Sequence, residues 1–259
     1  MCLIVIAWRA RADLPLAVAA NRDEWRDRPA LAAHWWPDHP RILAGRDLQA
    51  GGTWMGITRE GRFAAVTNFR DPSDKRSTAL SRGTLVTDYL LGDEPPARFL
   101  ASLAARASDY NGFNLILGDR ASLWYFGSRE GAARAIEPGV HGLSNHLLDE
   151  PWPKVVNGRV AMEKALLARD PAPVLFDLLS SAASAADAAL PNTGVGIEWE
   201  RRLASALITG DDYGTRCSTV LAISAAGEAS FEERTRAADG SVSGGLAYSF
   251  SLRAEEVLP

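Results

Sequence analysis

A cysteine at position 2 is the residue of this chain best placed to act as a nucleophile. If Met1 is removed, which a small second residue usually permits, Cys2 carries both its thiol and a free α-amine. That amine has an ordinary pKa of about 7.7–8.0, so a modest shift leaves it able to accept the thiol proton at pH 7. A thiolate formed in this way can attack a carbonyl carbon. The alternative is that Cys2 is a small buried hydrophobic residue, as free cysteine often is.

Four polar residues, Asn21, Arg22, Asp23 and Glu24, follow the apolar run 14–20. In a hairpin of the first two apolar runs, residues 21–24 return close to residue 2. A carboxylate of the Asp23/Glu24 pair could hold the α-ammonium, and Arg22 could stabilise a thiolate or bind a substrate anion. An ordinary solvated turn is the alternative.

Two asparagines and one arginine follow or precede other predicted strands. Asn68 and Asn145 each stand at a strand end, where an uncharged amide can donate to a developing oxyanion. Ordinary turn roles are the alternative for both. Arg216 could pair with Asp23 or with a substrate carboxylate, unless it is a surface residue. Cys217, at the start of an apolar strand, is expected to serve packing.

Composition excludes several classes of function. The chain has 259 residues and a net charge of −4, so it lacks the basic surface typical of nucleic-acid binding. It contains no apolar run of the roughly 18–20 residues that a membrane span needs. Two cysteines 215 residues apart suggest neither a disulfide framework nor a zinc site, and a reducing cytoplasm is the expected location. The four histidines do not cluster, so we expect no metal and no cofactor.

Strands come first along the chain, helices in the middle and strands again at the end. The predicted strands are 1–6, 14–20, 54–58, 62–67, 113–117, 123–126, 134–136, 142–145, 217–223, 229–235 and 246–252. The predicted helices are 81–91 with Ser81 as N-cap, 95–107, 154–169 and 173–181. Residues 29–40 are expected to be irregular and 45–47 to form a turn. This order favours an α+β fold, with helices packed outside two mainly antiparallel sheets in a single domain over residues 1–259.

Nine short motifs, in register over nearly the whole chain, resemble the NRDE family, which includes the eukaryotic transport-and-Golgi-organisation proteins. They are Met1-Cys2-Leu3-Ile4, Ala19-Ala20-Asn21-Arg22-Asp23-Glu24 with Arg28-Pro29, Ala44-Gly45-Arg46-Asp47, Gly51-Gly52-Thr53-Trp54-Met55-Gly56, Ala65-Val66-Thr67-Asn68-Phe69-Arg70, Ser81-Arg82-Gly83, Tyr110-Asn111-Gly112-Phe113-Asn114-Leu115, Gly142-Leu143-Ser144-Asn145 with Pro151-Trp152-Pro153-Lys154, and Tyr213-Gly214-Thr215-Arg216.

The resemblance implies an N-terminal-nucleophile hydrolase fold of four layers in the order αββα. It is similar in layout to the choloylglycine and penicillin V acylase group, which hydrolyses non-peptide C–N amide bonds. That pattern implies Cys2 as nucleophile, its own amine as base and Asp23 as the group that positions the amine. Asn68 and Asn145 would fall in the oxyanion-hole and amine-binding region. The acylase pattern has an arginine where this chain has Ala20, so Arg22 or Arg216 is expected to replace it.

Two functions remain open from the sequence. The first is an amidohydrolase for an unidentified small molecule, with Asn21, Glu24 and Trp54 as further substrate contacts. The second is a non-catalytic carrier or trafficking protein for a hydrophobic ligand such as haem or an acyl-CoA. For the carrier, a pocket would be lined by tryptophans, at positions 8, 25, 35, 36 and 54. The sequence predicts no oligomeric state.

Overall fold

The computed structural model describes residues 2–74 and 76–253. Within them the strands are β1 (Cys2–Arg11), β2 (Leu14–Trp25), β3 (Ala30–Trp35), β4 (Ile42–Asp47), β5 (Met55–Thr58), β6 (Phe63–Asn68), β7 (Phe113–Gly118), β8 (Leu123–Gly127), β9 (Ala133–Ala135), β10 (Gly139–Leu143), β11 (Tyr213–Ile223), β12 (Glu228–Arg236) and β13 (Val242–Ser251). The α-helices are α1 (Gly83–Leu91), α2 (Pro96–Ala104), α3 (Pro153–Ala165), α4 (Ala172–Leu179) and α5 (Ile197–Arg202).

The strands form two antiparallel sheets that pack face to face. The first sheet has the order β10-β1-β2-β11-β12-β13, and the second has β3 to β9 in chain order. Because successive side chains of a strand point to opposite faces, β1 contributes Ile4, Ile6 and Trp8 to the core between the sheets. Its other face, with Leu3 and Val5, packs under helices α3 and α4.

A second helical layer covers the outer face of the other sheet. Helices α1 and α2 bury Leu85, Tyr89 and Leu100 against strands β4, β6, β7 and β8. The layers are therefore helix, sheet, sheet and helix, and the predicted αββα order is confirmed. None of the described helices has the length and apolar character needed to cross a membrane.

Three local predictions were wrong. Residues 29–40 were expected to be irregular and 45–47 to form a turn, but these segments contain strand β3 and the end of strand β4, whose backbone groups pair with each other and with β5. Residues 21–24 were expected to follow a strand, yet β2 runs on to Trp25 because β11 pairs with it as far as Tyr213. Helix α1 begins two residues after Ser81, with Arg82 as its N-cap. Met1, the first residue of the first predicted strand, lies outside the described residues.

Strands β1, β2 and β11 lie side by side in the middle of the first sheet. The first residue of β1 is Cys2, and its partner across the pair is Arg22 of β2. The register thereby brings the N-terminal cysteine next to the polar end of β2, as the hairpin interpretation of the sequence predicted. The helix α5, which the sequence analysis did not predict, packs near this end of the sheet through Trp199, against Tyr213.

Candidate active site

A cavity of about 340 Å³ lies between the two sheets at the end where β1 begins. Its walls include Cys2, Arg22 and Glu24 from the first sheet, Asn68 from the second sheet, and Trp54, which directly precedes β5. Pockets for small molecules commonly have volumes of about 300–1,000 Å³, so this one suits a small ligand. Nine of the residues that line it carry charged side chains: Arg22, Asp23, Glu24, Arg28, Arg46, Asp47, Arg82, Arg216 and Glu233.

The Cys2 side chain forms part of the cavity wall, although the residue is only 7% exposed. Its carbonyl oxygen accepts a hydrogen bond of 3.0 Å from the hydroxyl of Ser144, which fixes the first residue of β1 against β10. Burial raises the pKa of the Cys2 thiol, and the Asp23 carboxylate adds to the rise, whereas the Arg22 guanidinium opposes it. The thiol is therefore protonated at neutral pH, and a base must remove its proton before it can act as a nucleophile.

Arg22 lies between two cysteines. Its Cα pairs with Cys2 on one side and with Cys217 on the other, so the three side chains share the face of the sheet that lines the cavity. The Arg22 side chain is 11% exposed, and its ion pair with Asp47 is long, at 3.9 Å. An arginine next to the thiol can stabilise a thiolate or hold a substrate anion.

A β-bulge at Arg216 shapes the part of the cavity wall that β11 contributes. Thr215 pairs with Asp23 and Cys217 pairs with Arg22, so Arg216 is one extra residue in β11. Without the bulge, Thr215 and Cys217 would lie on the same face; with it, Thr215 faces the helical layer and Cys217 faces the cavity. Arg216 itself reaches the cavity wall and donates to the carbonyl oxygens of Trp25 at 2.7 Å and Arg28 at 3.0 Å.

Asp23 lies at the border between the cavity and the helical layer. It is 1% exposed, and its Oδ1 accepts a hydrogen bond of 2.7 Å from the hydroxyl of Thr215. Burial raises the pKa of the Asp23 carboxyl, while the positive charges of Lys154 and Arg70 oppose that rise. Lys154 is 4% exposed, and its Nζ has no hydrogen-bond partner within the described part of the chain. Burial lowers the pKa of Lys154 to about 8, although the charge of Asp23 favours its protonated form.

The two predicted asparagines have different surroundings. Asn68, the last residue of β6, lines the cavity. Asn145 is fully buried beside the cavity rather than in its wall, and its amide donates to the carbonyl oxygen of Asn68 at 2.9 Å. Asn145 therefore holds Asn68 in place. A ligand in the cavity can reach the side-chain amide of Asn68 but not that of Asn145.

A buried ion pair supports this corner of the site. Nη1 of Arg70 and Oε2 of Glu200 are 2.6 Å apart, and both side chains are less than 5% exposed. The backbone N–H of Arg70 donates to the carbonyl oxygen of Asn145 at 2.7 Å, so the pair is linked to the asparagine that holds Asn68. Thr193 donates to the other carboxylate oxygen of Glu200 through its N–H and its hydroxyl.

Asn21 is the predicted substrate contact that lies away from the cavity. Its side chain is on the face of β2 that packs under the helices, where Nδ2 donates to the carbonyl oxygens of Leu179 and Ala206. The other two predicted contacts, Glu24 and Trp54, do line the cavity.

The five tryptophans proposed for a hydrophobic pocket are dispersed. Trp54 is at the cavity, but Trp8 lines a different surface depression, formed with Pro15 and Arg120. Trp36 is buried under helix α1, and Trp25 is half exposed and makes an edge-to-face contact with Tyr213. Trp35 packs against the edge of the core between the sheets.

Three charged residues near the cavity had no role predicted from the sequence: Arg82, Lys154 and Glu233. Arg82 and Lys154 do stand in two of the family motifs, which was the available signal. Glu233 occupies a core-facing position of β12, after Ala229 and Phe231, so a break in the apolar alternation marked it. The Glu233 carboxyl accepts from the N–H of Ala33 at 2.8 Å, and burial raises its pKa. Among the described residues, no three histidine, cysteine or acidic side chains are grouped in a way that would hold a metal ion.

Comparison with known proteins assigns the family. The model of the family "Transport and Golgi organisation 2" matches residues 1–238. The chain belongs to the transport and Golgi organisation 2 family. It is 37% identical to the Transport and Golgi organization protein 2 homolog of Bos taurus over 238 residues, which are 85% of this chain and 86% of that protein. The Homo sapiens homolog is 34% identical with the same coverage of both chains.

One solved structure also aligns with this chain. The C2A mutant of the conjugated bile acid hydrolase from Clostridium perfringens aligns with a TM-score of 0.48 and 6% sequence identity. The alignment covers 97% of this chain and 92% of that one.

The NRDE motif of the transport and Golgi organisation 2 family forms, in this member, the last part of strand β2, and its side chains divide between the two faces of the sheet. Arg22 and Glu24 point to the cavity, whereas Asn21 and Asp23 point to the helical layer.

Proposed function

We propose that this protein is an N-terminal-cysteine amidohydrolase that cleaves the C–N amide bond of a small molecule. The observation that carries the proposal is the position of Cys2. Its thiol shares one cavity with a guanidinium on the adjacent strand, Arg22, and with the amide of Asn68 on the facing sheet. Asp23 lies at the border of the same cavity, on the residue next to Arg22.

The residues supply each part of an acyl transfer. Once Met1 has been removed, the α-amine of Cys2 takes the thiol proton, and the thiolate attacks the carbonyl carbon of the substrate. The oxyanion accepts hydrogen bonds from the amide of Asn68 or from a backbone N–H. The C–N bond then breaks, the α-ammonium gives its proton to the departing amine, and an acyl thioester remains on Cys2. Water attacks the thioester, with the α-amine as base, to release the acid.

Two charged residues favour this use of the α-amine. Asp23 is buried beside the start of β1 and, as a carboxylate, would hold the ammonium form in place. Lys154 supplies a positive charge that acts on Asp23. A nearby like charge disfavours protonation of an amine. Together they would keep the α-amine positioned while leaving part of it neutral at pH 7.

The alternative, a carrier for a hydrophobic ligand, has less support. Charged side chains make up nine of the cavity's lining residues, and Trp54 is the one tryptophan at its wall among the described residues. An apolar ligand would take these charged groups out of water without offering them hydrogen bonds, which is costly. A small polar substrate is the better match.

The test combines mass spectrometry with kinetics. The intact mass of the purified protein is measured before and after brief alkylation near neutral pH, followed by turnover assays on a panel of small amides. We expect loss of Met1, modification at Cys2 ahead of Cys217, and at least a roughly 10³-fold loss of turnover in Cys2→Ala. Cys217→Ser is the matched control, because it removes the neighbouring thiol on the same face. Unchanged turnover in Cys2→Ala would refute the proposal.

A further inference from the structure

We infer that the cavity binds an amide substrate that carries a carboxylate group, and that Arg22 and Arg82 hold this carboxylate beside Cys2. The inference rests on the proposed function, since it names the substrate class of the same site. It follows from the distribution of charges in the cavity wall and from the partners that each charged group already has.

The acidic groups of the wall are each held by donors of the protein. Asp47 accepts from Arg28 at 2.6 Å and from the N–H groups of Gln49 and Ala50. Glu24 accepts from the N–H of its neighbour Trp25. Glu233 accepts from the N–H of Ala33, and Asp23 accepts from the hydroxyl of Thr215 and lies in the field of the Lys154 charge. Among the described residues, none of these carboxylates makes an ion pair closer than 3.9 Å with Arg22 or Arg82.

Arg22 lacks a close carboxylate among the described residues. Its one ion pair is the contact of 3.9 Å with Asp47, whose oxygen already accepts from Arg28 at a much shorter distance. A guanidinium carries five N–H donors in a planar fork, so most of the donors of Arg22 remain for a ligand. Because Arg22 is the register partner of Cys2, a carboxylate bound to it lies within a few bonds of a carbonyl attacked by the thiol.

Arg82 faces the same space from the second sheet's side. It is the N-cap of α1, and Nη1 donates to the carbonyl oxygen of Gly112 at 3.1 Å. The described residues offer it no ion pair, and the acidic groups whose charges act on it most strongly are Glu24 and Cys2. Ser81, Arg82 and Gly83 line the cavity, so the partial positive charge of the N-terminus of α1 also lies at its wall, and no acidic residue of the first turn offsets it.

The size of the charge surplus selects the kind of anion. Five arginines and four acidic residues line the cavity. Arg46 is neutralised from outside by Asp38, with two contacts of 2.8 Å, and Asp23 faces Lys154 within the helical layer. Removing one residue of each sign leaves a surplus of one positive charge among the described side chains of the wall, not counting the α-ammonium. A single carboxylate matches that surplus and the fork of an arginine, whereas a phosphate would bring up to two charges.

The test measures binding without turnover, in the Cys2→Ala protein. Two amides of the same aminocoumarin are titrated by calorimetry, one with a glutaryl group and one with the neutral pentanoyl group. A second pair, N-pentanoyl-glycine and its primary amide, places the carboxylate on the amine side of the scissile bond. We expect at least one acid to bind about 10- to 100-fold more tightly than its neutral partner, and less tightly at higher salt.

Arginine variants identify the groups responsible. In the Cys2→Ala background, Arg82→Gln should weaken binding of the preferred acid about 10- to 100-fold and leave binding of the neutral amide unchanged. Arg82→Lys, which keeps the charge but loses the fork, should give an intermediate loss. Arg98→Gln is the charge-matched control, because Arg98 is 76% exposed on helix α2, outside the cavity wall. Thermal unfolding of each variant checks that the fold is intact.

The outcomes separate the inference from the proposed function. Equal affinity for acid and neutral amide in both pairs would overturn the inference, as would equal effects of Arg82→Gln and Arg98→Gln. If the protein with Cys2 intact hydrolyses none of the amides while Cys2→Ala binds an acid selectively, the hydrolase proposal fails and the carboxylate site stands. If the intact protein hydrolyses neutral and acidic amides equally well, the carboxylate inference fails and the hydrolase proposal stands.

Discussion

Replacing Lys154 by methionine gives a direct test of the charge arrangement behind the cavity. Methionine has a similar length and no charge, so the change removes a buried ammonium with little loss of packing. Burial lowers the pKa of Lys154 from its ordinary 10.5 to about 8. The folded protein therefore releases this proton more easily than the unfolded chain does. Between pH 8 and 10.5 the unfolded state binds more protons at this lysine, so stability contributed by the site rises with pH.

The magnitude follows from the size of the shift. Each pKa unit corresponds to about 1.4 kcal/mol. Between pH 7 and 10.5, the free energy of unfolding of the wild type should therefore rise by about 3 kcal/mol more than that of Lys154→Met. Urea denaturation of both proteins at several pH values measures this difference. The other titrating groups, including Cys2, Cys217 and the tyrosines, are common to both proteins, so their contributions largely cancel in it.

Lys164 provides the control on the same helix. It is exposed near the end of α3, so Lys164→Met should show no such pH-dependent difference from the wild type. A stability difference between the wild type and Lys154→Met that stays constant from pH 7 to 10.5 would refute the reasoning. It would mean that water or a rearranged neighbour solvates the ammonium in the folded state.

Three further perturbations have definite expected outcomes. Glu200→Leu should lower the free energy of unfolding by about 3–5 kcal/mol, because it removes the carboxylate from a buried arginine; adding Arg70→Met should recover part of the loss in urea denaturation. Asp149 hydrogen-bonds to His141 at 2.7 Å and raises the pKa of that histidine. The interaction of Asp149 with the protonated histidine therefore stabilises the fold at low pH, and this stabilisation is lost as the pH rises through the raised pKa. Asp149→Asn should therefore reduce the fall in stability between about pH 6 and 8, and an unchanged pH profile would contradict this. Gly52→Ala would place a methyl group 2.6 Å from the backbone of the first residue of α1, so thermal unfolding should show a loss of about 1–3 kcal/mol, and no loss would mean that α1 moves freely.

The sequence allowed the layer order and much of the site to be predicted because the decisive signals were local or carried by the family motifs. The hairpin of β1 and β2 brought Cys2 to Arg22 as expected, since apolar runs joined by a short turn pair antiparallel. Glu24, Trp54, Asn68 and Arg216 line one cavity with them. Strands β3 and β4 escaped prediction because their partners, rather than their own composition, supply the hydrogen bonds that hold them.

The charged groups behind the cavity could not be derived from the sequence. Lys154 and Glu200 come from helices far along the chain, and each is buried only because α3 and α5 pack over the end of the first sheet. Nothing in a helical pattern distinguishes such a residue from a solvated one. The direction of the Asn145 amide, toward Asn68 rather than into the cavity, likewise depends on contacts between distant segments.

The bulge in β11 makes the length of that strand as important as its composition. Arg216→Ala would keep the extra residue, and with it the division of Thr215 and Cys217 between the two faces of the sheet. Deleting Arg216 would restore regular alternation along β11. If residues 219, 221 and 223 stayed in the core, Thr215 would then lie on the cavity face and could no longer contact Asp23. Among natural relatives, this segment should therefore accept neither a single-residue deletion nor a single-residue insertion.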